Sequence, residues 1–189
     1  ITITKKSSQS GKELIEVGYP IINLPIVKNN NILNVETPLV LAMIRQESAF
    51  YPRARSHANA RGLMQILPRT AKKIAKNLKI KYSKKQLTSN PNYNMVIGQT
   101  YLSNLIDEFG GSYVLALAGY NAGPGRARKW VKKNGSPREN FIKTVDWIEM
   151  IPFDETRNYI QRVLENLQIY RIKQSKFTIQ KTLKHDLIR

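Results

Sequence analysis

The sequence predicts an all-α fold, and three features of it do so. Apolar residues recur at helical spacing in one segment after another. Breaks rich in Pro, Gly and Asn separate those segments. No convincing run of alternating strand-like residues and no internal repeat occurs in the 189 residues. A chain of this length holds one well-packed domain with room for a small appendage.

Taken in order, residues 1–36 form a poorly patterned lead-in. Its apolar part, Gly18 to Ile26, is punctuated by Pro20 and Pro25, which favours an extended strap over a helix. Thr37-Pro38 is a helix start, with Thr37 as N-cap and Pro at the first helical position, and the helix runs to about Ser48. A turn-rich loop, Tyr51 to Gly62, leads to the apolar pentad Leu63–Leu67, which stops at Pro68. Ala71, Ile74, Ala75 and Leu78 form the apolar stripe of a lysine-rich amphipathic helix over Thr70–Leu78. After the break at Ser89-Asn90-Pro91, a long helix spans Asn92 to Phe109 and ends at Gly110-Gly111. Ser112 to Tyr120 is a very apolar helix, followed by a turn at Asn121–Gly125. Further helices are expected at Arg126–Lys133, Asn140–Met150 and Glu155–Arg171. The division is a lead-in strap over 1–36, a helical domain over 37–171 and a basic tail over 172–189, weakly patterned and flexible.

Composition narrows the chemistry. There is no cysteine, so neither disulfides nor thiolate catalysis is available. Two histidines and no HExxH pattern give no metal site, and no phosphate-binding Gly-rich loop appears; neither metal nor cofactor is expected. The apolar run Pro38–Ile44 is cut by Arg45, too short to span a membrane. Ile1 at the start leads us to expect a processed form, whose lack of a leader says nothing about export.

The net charge is +18, and its distribution matters more than its size. Between Glu47 and Asp107 there is no acid, while eleven Lys or Arg occur. Such a field attracts nucleic acid, anionic lipid surfaces or acidic wall polymers. A genome favouring Lys, Asn and Ile would give the same count as a solvated surface.

Against that background Glu47 stands out. In a helix from Pro38 it follows Val40 by seven residues, Met43 by four and Ile44 by three, on an apolar stripe. Burial and the negative end of the helix dipole both push its pKa up, toward a proton donor near neutrality. A buried structural Glu capped by Arg is the alternative. Other polar groups follow. Ser56 is placed to orient Glu47 or meet a substrate hydroxyl, or it merely turns the loop. Gln65, inside the apolar pentad, is either an inward binding amide or a structural bond to loop backbone. Tyr120 and Asn121, before a Gly-rich turn, suit sugar recognition or a simple helix stop. Glu155 sits at a helix start, where the dipole keeps it charged.

Four motifs taken together carry a resemblance: Ile44-Arg45-Gln46-Glu47-Ser48-Ala49; Arg61-Gly62-Leu63-Met64-Gln65-Ile66-Leu67-Pro68; Gly98 and Tyr101 within Asn94–Leu102; and Gly119 to Arg126, followed by Ile151-Pro152-Phe153 with Glu155, Thr156, Arg157 and Tyr159. From about Tyr19 to Arg171 the chain resembles the catalytic domain of the soluble lytic transglycosylases, whose fold is lysozyme-like of the goose type. The resemblance implies a single helical domain with a substrate groove, and Glu47 as sole catalytic acid and base. It implies substrate contacts at Ser56, Gln65, Leu67, Tyr101, Tyr120, Asn121 and Glu155. It also implies peptidoglycan glycan strands as substrate, cleaved between N-acetylmuramic acid and N-acetylglucosamine to leave 1,6-anhydromuramyl ends. A periplasmic or envelope location and a monomer are expected, with possible association with anionic envelope surfaces and no nucleic acid partner. The large helical superstructure of some members is not expected here. Departures from the family pattern are Asn59 for a usual Gly, tolerated because Asn accepts left-handed backbone, Leu67 for Met, and Gly119 for Ala, which would loosen a helix end. Two other readings stay open: a hydrolytic muramidase on the same fold, and a basic polyanion-binding module with a degenerate site.

Overall fold

A computed structural model describes residues 15–26, 35–139, 141–174 and 182–189. Among these the structure is helical, with isolated bridges at Arg55–Arg61 and Arg61–Ile66 but no strand. In chain order the α-helices are α1 (Ile15–Gly18), α2 (Thr37–Ser48), α3 (Pro68–Asn77), α4 (Gln86–Ser89), α5 (Pro91–Glu108), α6 (Tyr113–Ala122), α7 (Pro124–Asn134), α8 (Phe141–Glu149), α9 (Asp154–Gln174) and α10 (Leu183–Ile188). A 3₁₀ turn, Pro137–Glu139, joins α7 to α8.

Helix α2 is the axis of the molecule. Leu39 to Ile44 are all fully buried, so the helix is covered all round rather than on one stripe. Leu39, Leu41, Ala42 and Met43 join a core built with α6, α9 and Trp147. Val40 and Ile44 join a second core with Leu63, Met64, Ile66, α3 and α5. Its most extensive partner is α9. Arg45 locks the pair: its Nε donates to Gly18 O at 2.9 Å, a guanidinium N–H donates to Asn166 Oδ1 at 2.9 Å, and its face covers the Tyr19 ring. Phe50, Tyr101 and Tyr120 pack against both cores and mark the seam between them.

The loop after α2 owes its shape to a few polar anchors. Asn94, buried on α5, accepts from Met64 N–H and donates to the carbonyls of Arg61 and Leu87. Gly62 is required there: its φ is +76°, and a Cβ would stand 2.1 Å from Leu87 O. Asn59 does occupy left-handed backbone, φ +66°, and accepts a bond from Arg61.

Several boundaries differ from expectation. Thr37 is the first helical residue and not the N-cap; Glu36 holds that position, with its side chain turned to Arg171 instead of capping. Asn121 and Ala122 belong to α6, because the helix ends only at Gly123, with φ +94°. Gly119 does not loosen that end: it is buried, and a Cβ there would lie 3.0 Å from Phe109, so its smallness admits that ring. Of the expected strap, residues 20–26 are without regular structure, and 1–14 and 27–34 fall outside the described residues. The basic tail is corrected in part. Helix α9 runs on to Gln174, and α10 docks, with Leu187 in the core and Asp186 fully buried against Arg171. Charge pairing across 15 residues, invisible to local pattern, holds it there; residues 175–181 lie outside the described set.

Candidate active site

Glu47 lies in the last turn of α2, directly above the Ile44 and Met43 side chains that fill the two cores. The helix stops there abruptly. Ala49 and Phe50 both take positive φ, +49° and +64°, and the Ser48 hydroxyl bonds Ile44 O and Leu63 O, tying the turn to the pentad. Two strained non-Gly residues in succession, beside the acid, mark a turn that the surroundings must hold in place.

Glu47 as a residue is partly exposed, while its carboxyl is turned inward and buried. Its hydrogen-bond partner is the hydroxyl of Tyr159 on α9, which donates to Oε1 at 2.6 Å. Burial pushes the Glu47 pKa up from 4.5 to about 8; the Tyr159 bond opposes this and the charge of Glu155 adds to it. Burial, expected from the sequence to raise the pKa, is thus the dominant cause. Tyr120 and Tyr159 are pushed well above the ordinary tyrosine value, first by burial and then by the neighbouring Glu47, so both stay neutral donors.

A groove of about 600 Å³ opens beside this acid. Gln65, Leu67, Tyr101, Tyr120 and Asn121 line it, with cations Arg69 and Lys73 from α3 and Arg126 from α7. Tyr101 and Tyr120 form its aromatic floor, ring centroids 5.1 Å apart, and the Tyr120 hydroxyl donates to Met64 O at 2.8 Å. Glu47 is not itself in that lining; it stands beyond Tyr120, which couples to it electrostatically. The groove therefore extends mainly to one side of the acid.

The predicted residues fall into three groups. Gln65, Leu67, Tyr101, Tyr120 and Asn121 come together on the groove. Gln65 also donates to Gly62 O at 2.8 Å from a left-handed backbone, φ +44°, so its amide does structural work there. Asn121 is fixed from α9: Thr156 donates to its Oδ1 at 2.6 Å, and its amide donates to Glu155 Oε1 at 3.4 Å. Glu155 is thus joined to the site through Asn121 and its charge on Glu47, though exposed. Ser56 does not orient Glu47. It is exposed, and its hydroxyl accepts from Ala60 N–H at 3.0 Å within its own loop; Tyr159 has the orienting role. Sequence reasoning gave Tyr159 no role, since it lies 112 residues from Glu47. Its position four residues after Glu155 was the available signal.

The family described as Transglycosylase SLT domain matches residues 25–142, and the soluble lytic transglycosylase helical domain matches 150–178. The second match, which the sequence reading did not expect, falls largely on α9. The soluble lytic murein transglycosylase of Escherichia coli K12 is 42% identical over 69% of this chain and 20% of its own length. A putative soluble lytic murein transglycosylase of Haemophilus influenzae is 38% identical over 76% of the chain and 24% of its own length. Among solved structures, the 70 kDa soluble lytic transglycosylase of Escherichia coli superposes with a TM-score of 0.70 at 36% identity, covering 82% of this chain and 24% of that one. An inactive glutamate-to-glutamine mutant of the lytic transglycosylase Slt of Pseudomonas aeruginosa gives 0.66 at 44% identity, over 74% and 22%. The chain spans about a quarter of the length of these relatives. The fold is the expected helical, lysozyme-like one, and the chain belongs to the SLT transglycosylase domain family.

Proposed function

We propose that this domain is a peptidoglycan lytic transglycosylase that cleaves the bond between N-acetylmuramic acid and N-acetylglucosamine. The observation that carries the reading is one carboxyl, Glu47, at the end of a buried helix, with burial pushing its pKa up to about 8, beside an aromatic and amide-lined groove. Protonated at neutral pH, Glu47 donates to the glycosidic oxygen as the C1–O bond breaks. The substrate's own N-acetyl carbonyl stabilises the positive charge at C1. The C6 hydroxyl then attacks C1 and gives its proton to the Glu47 carboxylate. The products are a free glycan end and a 1,6-anhydromuramyl end, and no water is consumed. Tyr159 supports the second half: its O–H stabilises the carboxylate formed in the first. Tyr101 and Tyr120 offer faces for sugar rings, and Asn121 offers an amide whose orientation Thr156 holds. Ser56, Gln65, Leu67 and Glu155 complete the proposed contacts.

The relatives' names support the activity, and the solved relative described as an inactive glutamate-to-glutamine mutant fits a chemistry that depends on a glutamate. Other relatives are named membrane-bound lytic murein transglycosylases, which supports a place at the cell envelope; no described helix is long and apolar enough to cross a membrane. Digestion of purified sacculi followed by mass spectrometry of the sugar ends is the test. Anhydro ends, lighter by one water, are expected; reducing ends would make the enzyme a hydrolytic muramidase. Glu47→Gln should lower release by about a thousandfold while leaving binding intact, and unimpaired release would overturn the assignment.

A further inference from the structure

The cations of the molecule are not evenly neutralised. The recorded ion pairs involve Arg128, Arg157, Arg162, Arg171 and His185, all outside the acid-free stretch that follows Glu47. Helix α3 and the loop behind it contain Lys72, Lys76, Lys79, Lys81, Lys84 and Lys85, all exposed and with no acid partner among the described residues. Arg69, Lys72, Lys73 and Lys76 follow one another at i, i+3, i+4 and i+7 and so share one face of the helix, of which Arg69 and Lys73 line the groove.

The loop is held rigidly. Lys79 N–H bonds Lys76 O and Ile80 N–H bonds Ala75 O, which closes α3 with Lys79 in left-handed backbone, φ +56°. Glycine is the cheaper residue at that position, yet a cation stands there. The Tyr93 hydroxyl then accepts from Ser83 N–H and donates to Lys81 O, pinning the segment to α5. A favourable interaction with the helix dipole accounts for Lys76 and Lys79. It does not reach Lys81, Lys84 and Lys85, which lie past the last turn.

We propose that this rigid lysine ridge is an exosite that docks the enzyme on intact peptidoglycan, through free carboxylates on the polymer's peptide substituents. The inference rests on the proposed substrate. The sugar rings in the groove are neutral, so the polymer's anionic groups lie on what hangs from the strand and on neighbouring strands. Lysines that continue the groove's own wall along α3 and past its end meet that material while Glu47 works on the strand. It raises residence on the insoluble wall and leaves the chemistry of a bound strand unchanged.

The test separates docking from turnover. Binding to purified sacculi is measured by sedimentation at low salt with Glu47→Gln protein, with and without Lys72, Lys76, Lys81, Lys84 and Lys85 changed to Gln. The five changes should weaken binding at least about tenfold, and added salt should weaken the Glu47→Gln protein similarly. Amidating the sacculus carboxylates should reproduce the loss for that protein and add nothing to the five-lysine variant. With Glu47 intact, the five-lysine variant should cleave short soluble glycan fragments at the unaltered rate. Equal sacculus binding with and without the lysines, or indifference to amidation, overturns the proposal. So does tighter binding to phosphatidylglycerol vesicles than to sacculi, which would make the ridge a lipid-binding surface. A failure of the parent enzyme to release anhydro ends would instead remove the proposed function, while the sedimentation result would still be read.

Discussion

Glu36 and Glu47 stand at opposite ends of one helix, and they differ in almost everything except the side chain. Glu36 is at the N-terminus of α2, where the dipole favours negative charge. Arg171 grips it with two hydrogen bonds, 2.9 and 2.7 Å, and the Tyr113 hydroxyl donates to it at 2.8 Å. The same guanidinium reaches Asp186 on α10 at 2.6 and 2.8 Å, and Arg189 bonds Tyr113. Burial disfavours the Arg171 cation, but its bonds to Glu36 and Asp186 outweigh that and hold its pKa above the ordinary value. Glu47 is at the C-terminal end, with one hydroxyl donor and, among the described residues, no cation bonded to it. One end of the helix stores charge as structure; the other withholds compensation and so keeps a proton. The same residue becomes strut or acid by what the fold brings to it.

The sharpest way to break this contrast is at Arg171. Arg171→Ala removes the guanidinium shared by Glu36 and the fully buried Asp186, and should cost about 3–5 kcal/mol in urea denaturation. A loss of less than about 1 kcal/mol would show the cluster to be no better than a surface pair. At the other end the sign reverses. Burial pushes the Glu47 pKa from the ordinary 4.5 up to about 8 in the folded protein. Between those values the native state holds a proton that the unfolded chain has lost, so Glu47 makes stability fall as pH rises. Glu47→Gln removes that dependence. The variant should gain on the order of 4 kcal/mol over the parent by pH 8, with the gain vanishing toward pH 4.5. Denaturation midpoints across that window decide it, and a gain that grows toward acid would contradict a raised pKa.

Tyr159→Phe probes the single bond to the acid. Loss of a donor to the carboxylate should send the Glu47 pKa higher still and move the alkaline limb of the pH–rate profile upward. The maximal rate should fall by about tenfold to a hundredfold, the worth of a hydrogen bond to a charged group. An unmoved alkaline limb would mean that the hydroxyl does not set the acid. Smallest in effect is Thr156→Val, which frees Asn121 Oδ1 and should cost about 1 kcal/mol, read as a rise in KM with kcat nearly constant.

Much of this was legible before any coordinates. Helical spacing located α2, α3, α5, α6 and α9 to within a few residues, because an amphipathic or buried helix writes its period into the chain. Glu47 was legible for the same reason: seven residues from Val40 and three from Ile44 is a place among aliphatics, wherever the helix packs. The Gly-rich stop after Asn121 and the left-handed Asn59 were also readable, since backbone geometry of that kind depends on the residue itself. Three things were not. Tyr159 reaches Glu47 across 112 residues, and no local pattern encodes such a meeting. Ser56 has the right chemistry near the right motif, but its loop directs the hydroxyl to Ala60. The docking of α10 hangs on Asp186 meeting Arg171, a choice of partner that composition leaves open.

By itself, then, the order of residues determined that the chain is helical, that an acid would end a buried helix and that a lysine-dense stretch would go unneutralised by its neighbours. Periodicity, turn chemistry and charge are properties of short segments, and they survive any arrangement of those segments. Tertiary structure alone decided which carboxyl meets a guanidinium and which meets a phenol. Protonation depends on desolvation and on partners a few ångströms away, and those distances exist only once α9 lies along α2.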